Sequence, residues 1–172
     1  MKFTNKVIFA VVALSLSCGA FAAAKGKVAI VNMQVAIIQT EAAKKQLQAL
    51  DADAEYAAMK AKFESLRTDL VSMDKDAQTN GMTWSEQQRA DHLKKVEYKR
   101  ADLKLAAEKL KAEQNTVVKR IMQEQFEAAK TALNKVVEAE GIGLVLDAGS
   151  AVYASQDFDI TAQITEALNK SK

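Results

Sequence analysis

Few side chains in this 172-residue sequence have the types and spacing that catalytic chemistry needs. His92 is the only histidine, with Glu86, Asp91 and Lys95 near it along the chain. A metal ligand or general base needs further imidazoles, thiolates or carboxylates converging on it, and one histidine in a polar helical run supplies none of them. Asp157 and Asp159 have the spacing of a carboxylate pair, but Asp159 precedes "ITAQI" and fits better as an N-cap or a favourable charge at the start of a terminal helix. "GIGLVLDAG" has glycines without the G-x-G-x-x-G order and following helix of a dinucleotide site. The sequence therefore points away from catalysis, from a metal and from any cofactor.

What remains is the chemistry of adhesion. Methionine adapts its shape at low cost and suits apolar contacts with varied partners. Met59, Phe63, Met73 and Met122 fall in apolar stripes, where packing is the usual role, whereas Met82 and Trp84 fall outside them. From Trp84 to Arg120 ten cations, among them Arg89, Lys94, Lys95, Lys99, Arg100 and Lys104, face six acids. Such an excess attracts anions at long range, and it also occurs on ordinary solvated helix faces laced with i,i+4 pairs.

The ends of the chain set the compartment. Residues 1–22 combine Lys2 and Lys6, an apolar run from Val7 to Cys18 and the triplet Ala20-Phe21-Ala22, the pattern of a secretory signal cleaved after Ala22. The apolar run is too short for a membrane anchor, which takes about 20 residues, and Ser15 is a poor fit to a lipidation signal at Cys18. Cleavage removes the only cysteine, so no disulfide staples the secreted chain. It also removes two lysines and no acid, and 24 basic residues less two leaves 22 against 22 acidic. A neutral chain argues against nucleic acid as a partner.

The elements that would position these residues are mostly helical. "KVAIVN", Lys27 to Asn32, reads as a strand. Ala43, Leu47, Leu50, Ala54, Ala57 and Ala61 follow the 4,3 steps of a coiled-coil seam, continued in a shifted phase by Tyr56, Met59, Phe63, Leu66, Leu70, Met73 and Ala77. A second stripe runs through Leu93, Val96, Arg100, Leu103, Ala107, Leu110, Gln114, Val117 and Ile121, then Met122, Phe126, Ala129, Leu133 and Val136. Asn80-Gly81 separates the arms, and Ser85 with Gln88 reads as a capping box. The expectation is two antiparallel helical arms, from Met33 to Ala77 and from Ser85 to Glu140, about 60 and 80 Å long. "GIGLVLDAGSAVYAS" reads as a β-hairpin, with Asp147 to Ser150 as its turn and Ala151 to Ala154 as the return strand. Three such strands per chain leave open edges, so several copies are expected to complete one β core through Val28, Ile30, Ile142, Leu144, Val145, Leu146 and Val152.

A signal, then "KVAIVNMQVAIIQTEAAKK", a long charged helical hairpin, "EAEGIGLVLDAGSAVYAS" and "DITAQITEALN" together resemble the Skp/OmpH family of periplasmic chaperones over essentially the whole secreted chain. The resemblance implies a mainly α fold with a small β body: residues 23–40 and 141–172 form a discontinuous oligomerisation body, and residues 41–140 a coiled-coil tentacle with its tip near 76–86. It implies a jellyfish-like homotrimer that holds unfolded outer-membrane proteins in a cavity between its arms without ATP and assists their delivery to outer-membrane assembly. On that reading Met59, Phe63, Met73, Met82, Trp84 and Met122 are client contacts, and the six cations named above attract acidic client segments, lipopolysaccharide or an anionic membrane surface. The competing reading is a coiled-coil spacer or adaptor of the cell envelope.

Overall fold

Short polar side chains decide where the helices begin. The computed structural model describes residues 26–171, so the signal expected at residues 1–22 lies outside the described residues. Within them, β1 (Lys27–Val31) is followed by α1 (Met33–Ile38), α2 (Glu41–Asp51), α3 (Ala54–Asn80), α4 (Glu86–Glu140), β2 (Ile142–Asp147) and α5 (Thr161–Lys170). The first arm, expected as one helix, is three. The Thr40 hydroxyl accepts from Ala43 N at 3.2 Å, and the Asp53 carboxylate from Glu55 N and Tyr56 N at 3.0 and 2.9 Å. Thr and Asp offer the backbone local partners that compete with a continuing helix, and both act here as N-caps.

The second arm follows expectation. Gln88 N donates to Ser85 Oγ at 3.2 Å and Ser85 N to Gln88 Oε1 at 2.8 Å, completing the capping box at the start of the 55-residue α4. Gly141 ends that helix with φ 64°, a left-handed conformation that only glycine adopts at low cost. α3 and α4 pack as an antiparallel pair. Their register is fixed by Lys99 against Asp69 near mid-length and Gln114 against Tyr56 nearer the base.

The hairpin expected at the C-terminal end is not formed. β2 stands where a strand was expected, but it pairs in parallel with β1, not with Ala151 to Ala154. The helical excursion between the two strands is the long crossover that parallel pairing requires. The Asp147 carboxylate accepts from Gly149 N at 2.8 Å and tightens residues 148–150 into a single 3-10 turn, after which the chain runs on without strand partners. It returns to the far edge of β1, where Ile160 N donates to Ile30 O at 3.0 Å. β1 is therefore central, and the outer edge of β2 is open among the described residues.

The core joins the chain ends to the second half of α4. Ile37, Ile121 and Ile164 are fully enclosed, each burial stabilising by about 1.5–3 kcal/mol, and Ala36, Ala43, Ala129 and Ala132 let the helices approach closely. Polar contacts pin α5 along α1: Asn32 N donates to Thr161 Oγ1 at 2.9 Å, Thr165 Oγ1 to Ala36 O at 3.0 Å, and Glu41 N to Asn169 Oδ1 at 3.0 Å.

One close approach sets the sheet register. Lys27 stands opposite Ile142 but Val28 opposite Leu144, so Gly143 is the extra residue of a bulge. A Cβ on Gly143 would stand 2.8 Å from Gly26 Cα, and one on Gly26 would stand 2.5 Å from Gly143 Cα. Gly143→Ala should therefore cost about 2 kcal/mol by overpacking backbone against backbone. Gly149→Ala, whose Cβ would meet only the Asp147 carboxylate at 3.0 Å, should stay closer to wild type. Urea denaturation of both variants checks this, and equal losses would refute the glycine contact.

Candidate functional site

His92 and Asp159 both make local structural contacts. His92 lies with its ring centroid 4.6 Å from that of Trp84, tilted by 45°. Asp159, expected as the N-cap of α5, stands one residue ahead of it: Ile160 occupies the N-cap position, and the Asp159 carboxylate accepts from Thr161 N at 2.8 Å. Among the described residues no group of three or more His, Cys, Asp or Glu could hold a metal ion.

The surface of the arm is the remaining candidate. On α3 the seam is Tyr56, Met59, Phe63, Leu66, Leu70, Met73 and Ala77, all buried or half-buried, as the spacing predicts. Ala54, Ala57 and Ala61 are exposed, because the earlier phase stops at the Asp53 cap. On α4 the seam is His92, Val96, Lys99, Leu103, Ala106 and Leu110. Lys99 and Ala106 replace the expected Arg100 and Ala107, both exposed. Sequence spacing went astray there because a lysine was not counted as a seam residue. Lys99 Nζ reaches Asp69 at 2.6 Å across the arms, with both side chains partly exposed, a pair worth up to about 1 kcal/mol.

Met59, Phe63 and Met73 thus sit half-buried between the arms, and Met122 half-buried against the body core. Met82 is 90% exposed at the tip, beside a half-buried Trp84, in an open recess of about 350 Å³ that also includes Arg89, His92 and Leu93. Arg89 donates to Met82 O at 3.4 Å. Lys94, Lys95, Arg100 and Lys104 are exposed; Lys94 lies 5.9 Å from the centre of the Tyr98 ring. The sequence reading did not single out Val71, Tyr98 or Leu105 as surface residues, yet all three are large, apolar and exposed, as are Leu93 and Phe126 of the expected stripe. Their signal was present: each stands one position off the seam or its continuation into the body.

A break in the arm opens a second feature. Where α2 gives way to α3, a cleft of about 400 Å³ lies between Leu50, Asp53, Tyr56, Glu113, Val117 and Arg120. Tyr56 is buried at its wall and accepts a 2.7 Å hydrogen bond from Gln114 Nε2. Across the same break Asp51 accepts from Lys60 at 3.0 Å, which raises the lysine's pKa above its ordinary value through that hydrogen bond and charge.

In the body, Ile142 is buried and Ile30 and Val145 half-buried, while Val28 is exposed, with Leu144 50% and Leu146 40% exposed along β2. Val152 is fully exposed beyond the turn. A contiguous exposed apolar sheet surface is the kind that interaction sites commonly present. No helix among the described residues is long and apolar enough to cross a membrane.

The family model "Outer membrane protein (OmpH-like)" matches residues 27–168. A Skp-like protein of Pseudomonas aeruginosa is 22% identical over 169 residues, spanning 98% of each chain. A solved OmpH-like structure from Caulobacter crescentus CB15 is 17% identical over 84% of each chain, with a TM-score of 0.46.

Removing the Tyr56 hydroxyl or the whole ring separates its two roles. Tyr56→Phe should lower stability by about 1 kcal/mol through the lost hydrogen bond, and Tyr56→Ala by about 3–5 kcal/mol through the cavity left at the arm break. Urea titrations followed by circular dichroism measure both; an unchanged Tyr56→Ala midpoint would show that the ring does not brace the arm.

Proposed function

The chain belongs to the OmpH-like outer membrane protein family, and from that premise we propose that it is an ATP-independent periplasmic holdase for unfolded outer-membrane proteins. The observation that carries the reading is the arm: a long two-helix projection whose surface bears separate, exposed apolar side chains and open recesses at its tip and at the α2 to α3 break. Such a surface offers many weak contacts and no single shape to match, which suits clients without fixed structure. The same reading assigns no catalysis, nucleotide or cofactor to the protein, and carries the client onward to outer-membrane assembly.

The body is the proposed oligomerisation module, completed by three copies. The open edge of β2, the exposed Val28, Leu144 and Leu146 and the unpaired stretch around Val152 support it, since an open apolar strand edge is a template for pairing with another chain. Each copy would then add one arm around a shared cavity.

Two measurements test the two halves of the reading. When an unfolded outer-membrane β-barrel protein is diluted from urea, the secreted chain, residues 23–172, should suppress its light scattering without ATP and yield a soluble complex with several chaperone chains per client. Continued aggregation beside a folded oligomer would favour the envelope spacer. Separately, Leu144→Asp with Leu146→Asp should lower the mass measured by sedimentation to that of one chain, because two carboxylates would enter the shared sheet; an unchanged mass defeats the body assignment.

A further inference from the structure

One position past a seam residue, a helix has turned by about 100°. Because α3 and α4 are antiparallel, that step carries both helices toward the same flank of the arm. This flank holds Arg67 and Val71 on α3 and Leu93, Arg100 and Lys104 on α4, each directly following a seam residue, with Arg89 at its tip end. Val71 is 66% and Leu93 68% exposed. Arg100 has no acidic partner among the described residues, while Arg67 and Lys104 make only loose pairs, at 3.7 Å to Glu64 and 4.0 Å to Glu108. Glu64, Asp74 and Glu97 also follow seam residues, so the cations outnumber the acids without excluding them. On the opposite flank, one position before the seam, Glu55, Asp69, Asp76, Asp91 and Asp102 outnumber Lys62, Lys95 and Lys109 around Tyr98 and Leu105. Lys62, Asp102, Leu105 and Lys109 together line one recess there, which confirms that these positions of the two helices share a side.

We propose that the flank of Arg67, Val71, Leu93 and Arg100 is the gripping surface of the arm, and that it takes an unfolded polypeptide segment in which apolar side chains alternate with carboxylates. The proposal rests on the holdase reading and adds which face of the arm meets the client. Guanidinium groups pair with carboxylates in two-point fashion and stack on aromatic rings, so cation and apolar side chain together match a chain that presents both within a few residues. An extended strand does so at a period of two, and strands destined for an outer-membrane barrel alternate apolar with polar positions. A lipid surface is a poorer occupant, because interfacial helices need a continuous apolar face, and here Val71 and Leu93 stand singly among charges.

The test uses the secreted chain carrying Arg67→Gln, Val71→Ser, Leu93→Ser and Arg100→Gln together. Its control carries Lys62→Gln, Tyr98→Ser, Leu105→Ser and Lys109→Gln, which remove two cations and two apolar side chains from the other flank. Affinity for a fluorescently labelled unfolded outer-membrane protein should fall about tenfold in the first, as the loss of several surface contacts of fractions of a kcal/mol predicts, and stay within about twofold in the control. Equal losses, or none in the first, overturn the proposal. So does a first variant that keeps client affinity while losing binding to phosphatidylglycerol vesicles, which makes the flank a lipid surface. A wild-type chain that binds no unfolded protein overturns the proposal together with the holdase reading, and that result is read before any variant is made. Photo-crosslinkers placed singly at Val71 and at Tyr98 repeat the comparison without altering charge, and client capture from Tyr98 but not Val71 reverses the assignment.

Discussion

A single helix belongs to two different packing environments, and the molecule depends on it. Toward its C-terminal end α4 is anchored by Ile121, Ala129 and Ala132 in a core that gathers both ends of the described chain. Toward its N-terminal end the same helix faces only α3, across a seam that includes Lys99 and a half-exposed His92. Helix formation is limited by nucleation, whereas each further residue adds a hydrogen bond at little cost. The body packs this helix on several sides, and the thinly packed arm extends it along one narrow apolar stripe. Stability should accordingly decline from body to tip, the gradient that local opening follows where apolar contacts are few.

That division explains what could be read from the residues alone. Signals that act within a few positions were legible: the Ser85 and Gln88 box, the Gly141 stop and the strand character of Ile142 to Asp147. The partner of that strand was not, because pairing is a property of the whole chain. Asp147 turns the backbone away, so Ala151 to Ala154 fill neither edge of that strand: β1 takes one and the other is open among the described residues. The interruptions at Thr40 and Asp53 were missed for the opposite reason, since the apolar spacing continues through them and hid two caps visible as single residues. On α4 a one-residue error of phase exchanged Lys99 for Arg100, and with it an ion pair for a free cation. Of the exposed apolar residues, Met82 was expected outside the apolar stripes, while Val71 and Leu105, each one position off the seam, were not singled out.

Exposed apolar groups are normally a liability, and their distribution decides whether they become one. Val28, Leu144 and Leu146 cluster on one sheet surface in the body, whereas Val71, Leu93, Tyr98 and Leu105 are spread singly along the arm among charged neighbours. Contiguous apolar area drives association strongly enough to fix one partner, and scattered side chains do not. The two regions therefore differ in kind although the residue types are alike: one is suited to a permanent contact and the other to many transient ones.

This difference bears on how an arm could hold a chain without trapping it. An exposed valine or leucine between charges contributes a fraction of the free energy of a buried one, so no single contact lasts. On the proposed holdase reading, several arms around one client would raise the local concentration of such contacts, and the sum can exceed each by orders of magnitude while every component remains weak. The break between α2 and α3 interrupts the first arm at two residues, Ala52 and Asp53. The Asp53 carboxylate satisfies the first backbone N–H groups of α3 locally, whereas the bond of Lys60 to Asp51 spans the break and ties the two helices together. A continuous first arm would have had to break backbone hydrogen bonds to bend, and the two residues between α2 and α3 remove that cost.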